Sequence, residues 1–143
     1  MATVEENIEV VKRGMAAAND DTMATVAPQI FAPGFIRHDL ANAHPGVAGP
    51  GGFTDFVRTL RSGMPDMRIT AEDIFGAGDR VAMRIRATGT HKGEVLGIPP
   101  TGKRVEINGI NIYRLENGKI VETWQLPDVW GFMCQVGAAK SGG

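Results

Sequence analysis

Cysteine is nearly missing from this 143-residue sequence, which has one, Cys134. A lone thiol forms no internal disulfide, so a reducing cytosol is permitted, and Cys134 reads most simply as a small apolar residue. An excess of either charge is missing too: 15 Lys+Arg stand against 16 Asp+Glu, for a formal net charge of -1. That balance leaves no electrostatic footprint for nucleic acid. No apolar run approaches the length that spans a membrane. The first residues place Glu5, Glu6 and Glu9 in a helical pattern rather than in a charged-then-apolar leader. The expectation is a cytoplasmic protein with neither nucleic acid nor membrane as partner.

Several catalytic motifs are also missing. Gly46, Gly49, Gly51 and Gly52 have the wrong spacing for a dinucleotide fingerprint and no strand before them. His38 and His44 are not spaced as helical zinc ligands, and no serine sits in a nucleophile elbow. Covalent and metal mechanisms therefore have little support, and the expectation is no metal and no cofactor.

What is present suits one domain over residues 1–143, long enough to bury a core without staples. No composition shift or internal repeat divides it. The stretch from His44 to Gly52 reads as a loop, and the tail from Ala138 to Gly143 is small and polar enough to fray.

Three segments have helical periodicity. Val4, Ile8, Val11, Met15 and Ala18 recur every three or four residues. Asn19, Asp20 and Asp21 break that pattern and offer caps for a second helix over about Thr22 to Ile30, shortened or kinked by Pro28. Phe53, Phe56, Val57, Leu60 and Met64 form a third stripe, ended by Pro65.

Beyond Pro65 the period becomes two. Met67 to Phe75, Val81 to Ala87, Arg104 to Leu115 and Ile120 to Leu126 each alternate, with tight turns between them. Helices followed by an antiparallel meander define an α+β domain, with the helices on one face of a curved sheet.

Polar residues on faces that should be apolar are the candidates for chemistry. Asn111 shares the parity of Val105, Ile107 and Tyr113, so its amide faces either a ligand or neighbouring backbone. His91 continues the parity of Val81, Met83, Ile85, Ala87 and Gly89; it is either a solvated rim histidine or an acid/base group at a pocket mouth. His38 and Asp39 are adjacent and cannot both face inward. His38 is expected inside, with Asp39 bracing the loop. Gln125 shares parity with Val121 and Thr123 and is expected inside, with Trp124 pointing the other way unless a bulge intervenes. Asp128 precedes the apolar run Val129 to Met133 and reads as a helix N-cap or an acid/base group. Phe35, Phe53, Phe56, Met64 and Tyr113 are candidates for an apolar wall.

The run Gly89-Thr90-His91-Lys92-Gly93-Glu94, followed by Gly97 through Arg104, resembles the SnoaL-like polyketide cyclases. So do Tyr113-Arg114-Leu115 leading through Gly118-Lys119-Ile120-Val121-Glu122 to Trp124, and the closing pattern of Asp128, Gly131, Gln135 and Gly137. The likeness extends over nearly the whole chain, including His38 and the segment Gly49 to Phe53.

The resemblance implies a cone-shaped α+β barrel of the nuclear-transport-factor-2-like superfamily. In it, helices close a curved antiparallel sheet around an apolar pocket, and chains pair as a homodimer or higher homo-oligomer. It implies cofactor-free aldol closure of a ring in an anthracycline-type aromatic polyketide. It also implies a departure: the family's acid/base aspartate falls on Gln125, and a pocket histidine of the cyclases falls on Asn111. A carboxamide does not shuttle protons at neutral pH.

Three roles follow. A relocated acid/base at His91, His38 or Asp128 would still run ring closure. A divergent member would take part in hydroxylating such rings beside a reductase partner, with Asn111 and Gln125 orienting the ring. A non-catalytic member would bind a hydrophobic aromatic small molecule. On these readings His91, His38, Gln125 and Asn111 are the catalytic candidates. Phe35, Phe53, Phe56, Met64, Tyr113, Trp124 and Asp128 are the substrate contacts.

Overall fold

A computed structural model describes residues 2–44 and 46–140. Helix α1 (Val4–Asp20) starts at a reciprocal cap: the Thr3 hydroxyl accepts from the Glu6 backbone N–H, and the Glu6 carboxylate accepts from that of Thr3, both at 3.1 Å. Asp21, in the left-handed region at φ 58°, ends it. Helix α2 (Met23–Ile30) contains Pro28 and runs directly into strand β1 (Phe31–Asp39). The short strand β2 (Val47–Ala48) follows, then α3 (Gly49–Gly63). The His44–Gly52 stretch is thus only partly a loop. Gly49, at φ 75°, makes the turn that Pro50 then fixes at the helix start.

The rest is β3 (Arg68–Ala77), β4 (Arg80–Thr90), β5 (Arg104–Glu116), β6 (Lys119–Pro127) and the short helix α4 (Val129–Gln135). The six strands form one sheet in the order β2-β1-β6-β5-β4-β3. Strands β3 to β6 are the antiparallel meander that the alternation predicts. The sheet as a whole is mixed, however, because β1 pairs with β6 in parallel, from Phe31 against Ile120 to Asp39 against Gln125. That pairing joins segments far apart in sequence, so no local pattern signals it. Nor does the sheet close into a barrel: β2 and β3 are its edges. Bulges between Ala71 and Asp73, Phe31 and Ile36, and Arg114 and Leu115 interrupt the ladders and bend the strands around the helices.

The inner face carries the core. Phe31, Phe35 and Phe53 meet ring to ring, with Ile30, Val81, Leu115 and Ile120 buried around them. A second cluster joins Met64, Met67, Val95, Val105, Phe132 and Val136. Residues 91–103 are pinned to the end of α3. The Gly63 carbonyl accepts N–H bonds from Lys92 and Gly93, and a Cβ on Gly63 would lie 2.3 Å from a Val95 methyl and 2.8 Å from the Glu94 carbonyl. The outer face leaves Ile36, Ile110, Ile112 and Leu126 exposed.

Candidate active site

The site begins with strand parity. In β1, Phe35 and Arg37 point inward, and Arg37 is only 4% exposed. Register sets Arg37 beside Thr123 and Asp39 beside Gln125 on β6, and Gln125 beside Asn111 on β5. Three neighbouring strands therefore aim Arg37, Gln125 and Asn111 into one interior, with Tyr113 two residues along β5 from Asn111.

That interior is hollow. A cavity of about 170 Å³ lies between the sheet and α1, α3 and α4, lined mostly by apolar groups, among them Phe53, Phe56, Leu60, Met64, Ile107 and Phe132. Its polar side chains are Arg37, His44, Asn111, Tyr113 and Gln125, and contacts between them gather these groups at one end. The Arg37 Nε donates to Gln125 Oε1 at 2.5 Å. The guanidinium lies 4.0 Å over the Phe56 ring, and the same ring meets His44 edge-on at 5.1 Å. Asn111 Nδ2 donates to the Tyr113 hydroxyl at 3.3 Å.

Asp39 completes this end from behind. Its carboxylate accepts N–H bonds from Ala41, Ala43 and His44 at 2.9, 3.2 and 2.8 Å, bracing the loop as expected. One oxygen is 3.7 Å from Arg37 Nη1. That Nη1 has no hydrogen-bond partner.

The electrostatics follow from burial. Burial lowers the Arg37 pKa against the pull of Asp39, but a guanidinium stays charged at neutral pH regardless. Burial raises the Asp39 carboxyl, yet the three N–H donors and Arg37 outweigh it and hold the group below its usual value. The Tyr113 phenol, driven chiefly by burial, is pushed up to about 12. Burial lowers the His44 imidazole, with Arg37 acting in the same direction and Asp39 against it. At neutral pH the end of the cavity therefore holds a fixed cation, two amides, a neutral phenol and a neutral imidazole.

The structure distributes the sequence candidates unevenly. Gln125, Asn111, Tyr113, Phe53, Phe56 and Met64 line the cavity. Phe35 is fully buried behind the wall, in the core. His38 points outward, against expectation: its Nε2 meets Glu122 at 2.6 Å and its ring stacks on Trp124. The inward place goes to Arg37 because Gln125, Asp39 and Phe56 compensate its charge, and strand alternation then turns His38 out. Trp124 lies on that outer face too, as its parity predicts, and so is no part of the wall. His91 is not a solvated rim residue. It is fully buried, bonded through Nδ1 to the Thr101 hydroxyl at 3.0 Å, and it sits outside the cavity wall with its ring edge-on to Phe132. Asp128 caps α4, accepting from the Gly131 N–H at 2.9 Å. Arg37 and His44 are the polar cavity residues absent from the candidates that the sequence supplies.

Among the described residues no three His, Cys, Asp or Glu side chains cluster as metal ligands, and no helix is long and apolar enough to cross a membrane.

Helices folded onto a curved sheet around an internal apolar cavity define an α+β fold with a pocket at its centre. The sequence narrows this further: a family model described as SnoaL-like polyketide cyclase matches residues 9–136. The chain belongs to that family. It is 27% identical over 135 residues to the aklanonic acid methyl ester cyclase DauD of Streptomyces sp. (strain C5), covering 91% of this chain and 81% of the relative. Among solved structures, IdmH of Streptomyces antibioticus is 30% identical with a TM-score of 0.80, over 92% of this chain and 98% of that one. A SnoaL-like protein of Jannaschia sp. CCS1 is 26% identical with a TM-score of 0.85, over 97% of both chains.

Proposed function

We propose that this protein closes a ring in an aromatic, anthracycline-type polyketide ester by an aldol reaction that needs no cofactor. The observation that carries this reading is the apolar cavity with one polar end, where Arg37 Nη1 is buried without a hydrogen-bond partner. An aldol closure removes a proton from a carbon between two carbonyls, develops charge on an enolate oxygen, and joins that carbon to a ketone. A fixed cation in a water-poor site stabilises the developing oxyanion more strongly than water does. The Asn111 and Gln125 amide N–H groups and the Tyr113 hydroxyl supply donors for the remaining carbonyls, and Phe53 and Phe56 supply flat walls for an aromatic guest.

The cavity volume, about 170 Å³, is below the ~300–1,000 Å³ of typical ligand pockets. Met15, Met64, Met67 and Met83 line it, and unbranched thioether chains shift rotamer readily. Binding of a fused ring system is therefore expected to move methionines rather than backbone.

The exposed outer-face side chains Ile36, Ile110, Ile112 and Leu126 support a homodimer. Family membership, together with the absence of any spanning helix among the described residues, supports a cytoplasmic setting.

Gln125, a carboxamide where the resemblance puts an aspartate, favours a second reading, ring hydroxylation beside a reductase. One experiment separates them: incubation with aklanonic acid methyl ester under anaerobic conditions. A ring-closed product of unchanged mass supports the proposal. Conversion that requires dioxygen and a reductant, with gain of an oxygen atom, overturns it in favour of hydroxylation. Tight binding without conversion overturns it in favour of a carrier.

A further inference from the structure

The ring closure proposed above needs a group that takes a proton from carbon and returns it to oxygen, and neither His38 nor His91 reaches the cavity. Three titratable side chains line the cavity among the described residues: Arg37, Tyr113 and His44. Arg37 keeps its proton at any working pH. Tyr113 releases its own only near 12. The geometry points to His44 as the residue that moves the proton, a role that rests on the ring-closure reading.

Its surroundings fit the task. The ring lies edge-on to Phe56, the same aromatic side chain that carries the Arg37 guanidinium, so His44 and Arg37 meet one ring at the polar end of the cavity. The His44 backbone N–H, not its ring, is the group that holds the Asp39 carboxylate. Asp39 thereby fixes the backbone that carries the imidazole, and no hydrogen bond among the described residues engages the ring nitrogens. The charged groups facing the ring are Arg37 and Asp39 from β1, and α3 presents Phe56 to it. With burial favouring the neutral imidazole, a lone pair is available at neutral pH.

The step balances without a co-reactant. An imidazole nitrogen of His44 takes the proton, and the C–H electron pair becomes the enolate, paired with the Arg37 guanidinium. The enolate carbon forms the new C–C bond to the ketone carbon, whose π pair moves to oxygen. That oxygen takes the proton back from the His44 imidazolium, and the product is an isomer of the substrate.

The test follows exchange of the α-hydrogens of methyl benzoylacetate with solvent deuterium, above the buffer rate. This β-keto ester has no second ketone with which to close a ring, so exchange reports proton transfer alone. The wild-type protein is expected to catalyse exchange, with a rate that falls on the acid side through a midpoint below the ordinary imidazole value. His44→Gln and His44→Asn are expected to lose about 10²–10⁴ of that rate and the acid limb with it. Thermal unfolding should be little changed, because the ring bonds nothing that holds the loop. Arg37→Met should slow exchange yet keep the acid limb.

Wild-type exchange rates and the same limb in both His44 variants would overturn the assignment while leaving ring closure standing. Absence of exchange by the wild-type protein would overturn it as well. Exchange that depends on His44, without any ring closure of aklanonic acid methyl ester, would support the residue assignment and remove only the ring-closure reading.

Discussion

Arg37 and Gln125 are 88 positions apart in sequence, yet Arg37 Nε and Gln125 Oε1 are 2.5 Å apart across the parallel β1–β6 pair. This bond spends the amide oxygen on the guanidinium, so Gln125 holds Arg37 in place rather than acting on a proton. It also leaves the two terminal guanidinium nitrogens outside that bond. With Nε committed, and Nη1 beside Asp39 at 3.7 Å without a hydrogen bond of its own, the terminal guanidinium nitrogens are the donors that Gln125 leaves for a substrate oxygen.

Replacing Arg37 by Met keeps an unbranched chain against Phe56 and deletes the donor. Turnover is expected to fall about 10²–10³-fold, the usual loss for an oxyanion donor, with a smaller change in KM. Gln125→Ala and Asn111→Ala should lower turnover by less. Steady-state kinetics on the ring-closing substrate measure all three, and an unchanged kcat in Arg37→Met removes it from the site.

Tyr113 is the sequence's one tyrosine, which makes its titration directly readable. The folded protein should release its phenolic proton only near 12, whereas the chain unfolded in guanidinium should do so near the ordinary value of about 10. The folded value is raised, so this contribution to stability is present below about 10 and is lost as pH rises toward the folded value. Tyrosinate absorbance against pH, folded and unfolded, checks it; coincident curves would mean that the phenol is solvated.

Stability on the acid side should show His44. Its folded value is lowered by burial, so its contribution is present above the unfolded imidazole value and is lost as pH falls through the folded one. The wild-type protein should therefore lose more stability than His44→Gln in that window. Denaturant midpoints at a series of pH values measure the difference, and parallel profiles would refute it.

Asp39→Ala removes acceptors from three loop N–H groups at once. A loss of about 1–3 kcal/mol is expected, with faster hydrogen exchange at Ala41, Ala43 and His44. Slow exchange at all three in the variant would contradict the bracing role.

Gly63→Ala should destabilise by about 1–3 kcal/mol, since its Cβ would meet Val95 and the Glu94 carbonyl at overlapping distances. Because Val95 and Leu96 line the cavity, ligand affinity should fall along with the unfolding midpoint.

Much of the scaffold is legible in the sequence. The stripe of α3 and the alternation of β4 and β5 place Phe53, Met64, Asn111 and Tyr113 correctly, because each pattern repeats within its own element. Strand β1 is less legible: Pro33, Gly34, Arg37 and Asp39 interrupt its apolar pattern. The inward Arg37 runs against the usual preference of arginine for solvent. Its compensation comes from Gln125 on a distant strand and Phe56 on a helix, neither visible locally, and choosing His38 for the inside follows from the same blindness. His91 is a subtler case. Its parity is right, but whether the inner face at that level is pocket or core depends on Thr101 and Phe132. His44 lies in a glycine- and proline-rich stretch where no periodicity assigns a direction to any side chain.

The parallel pairing of β1 with β6 also bears on when the protein becomes active during synthesis. Without β6 the sheet divides between β1 and β5, leaving the first strand with only the two-residue β2 beside it. A growing chain released anywhere before Gln125 would carry Arg37 without its hydrogen-bond partner and would have no closed chamber to fill. The working enclosure is therefore assembled in one late event, once the final strand has left the ribosome, and partial translation products should bind no aromatic guest at all.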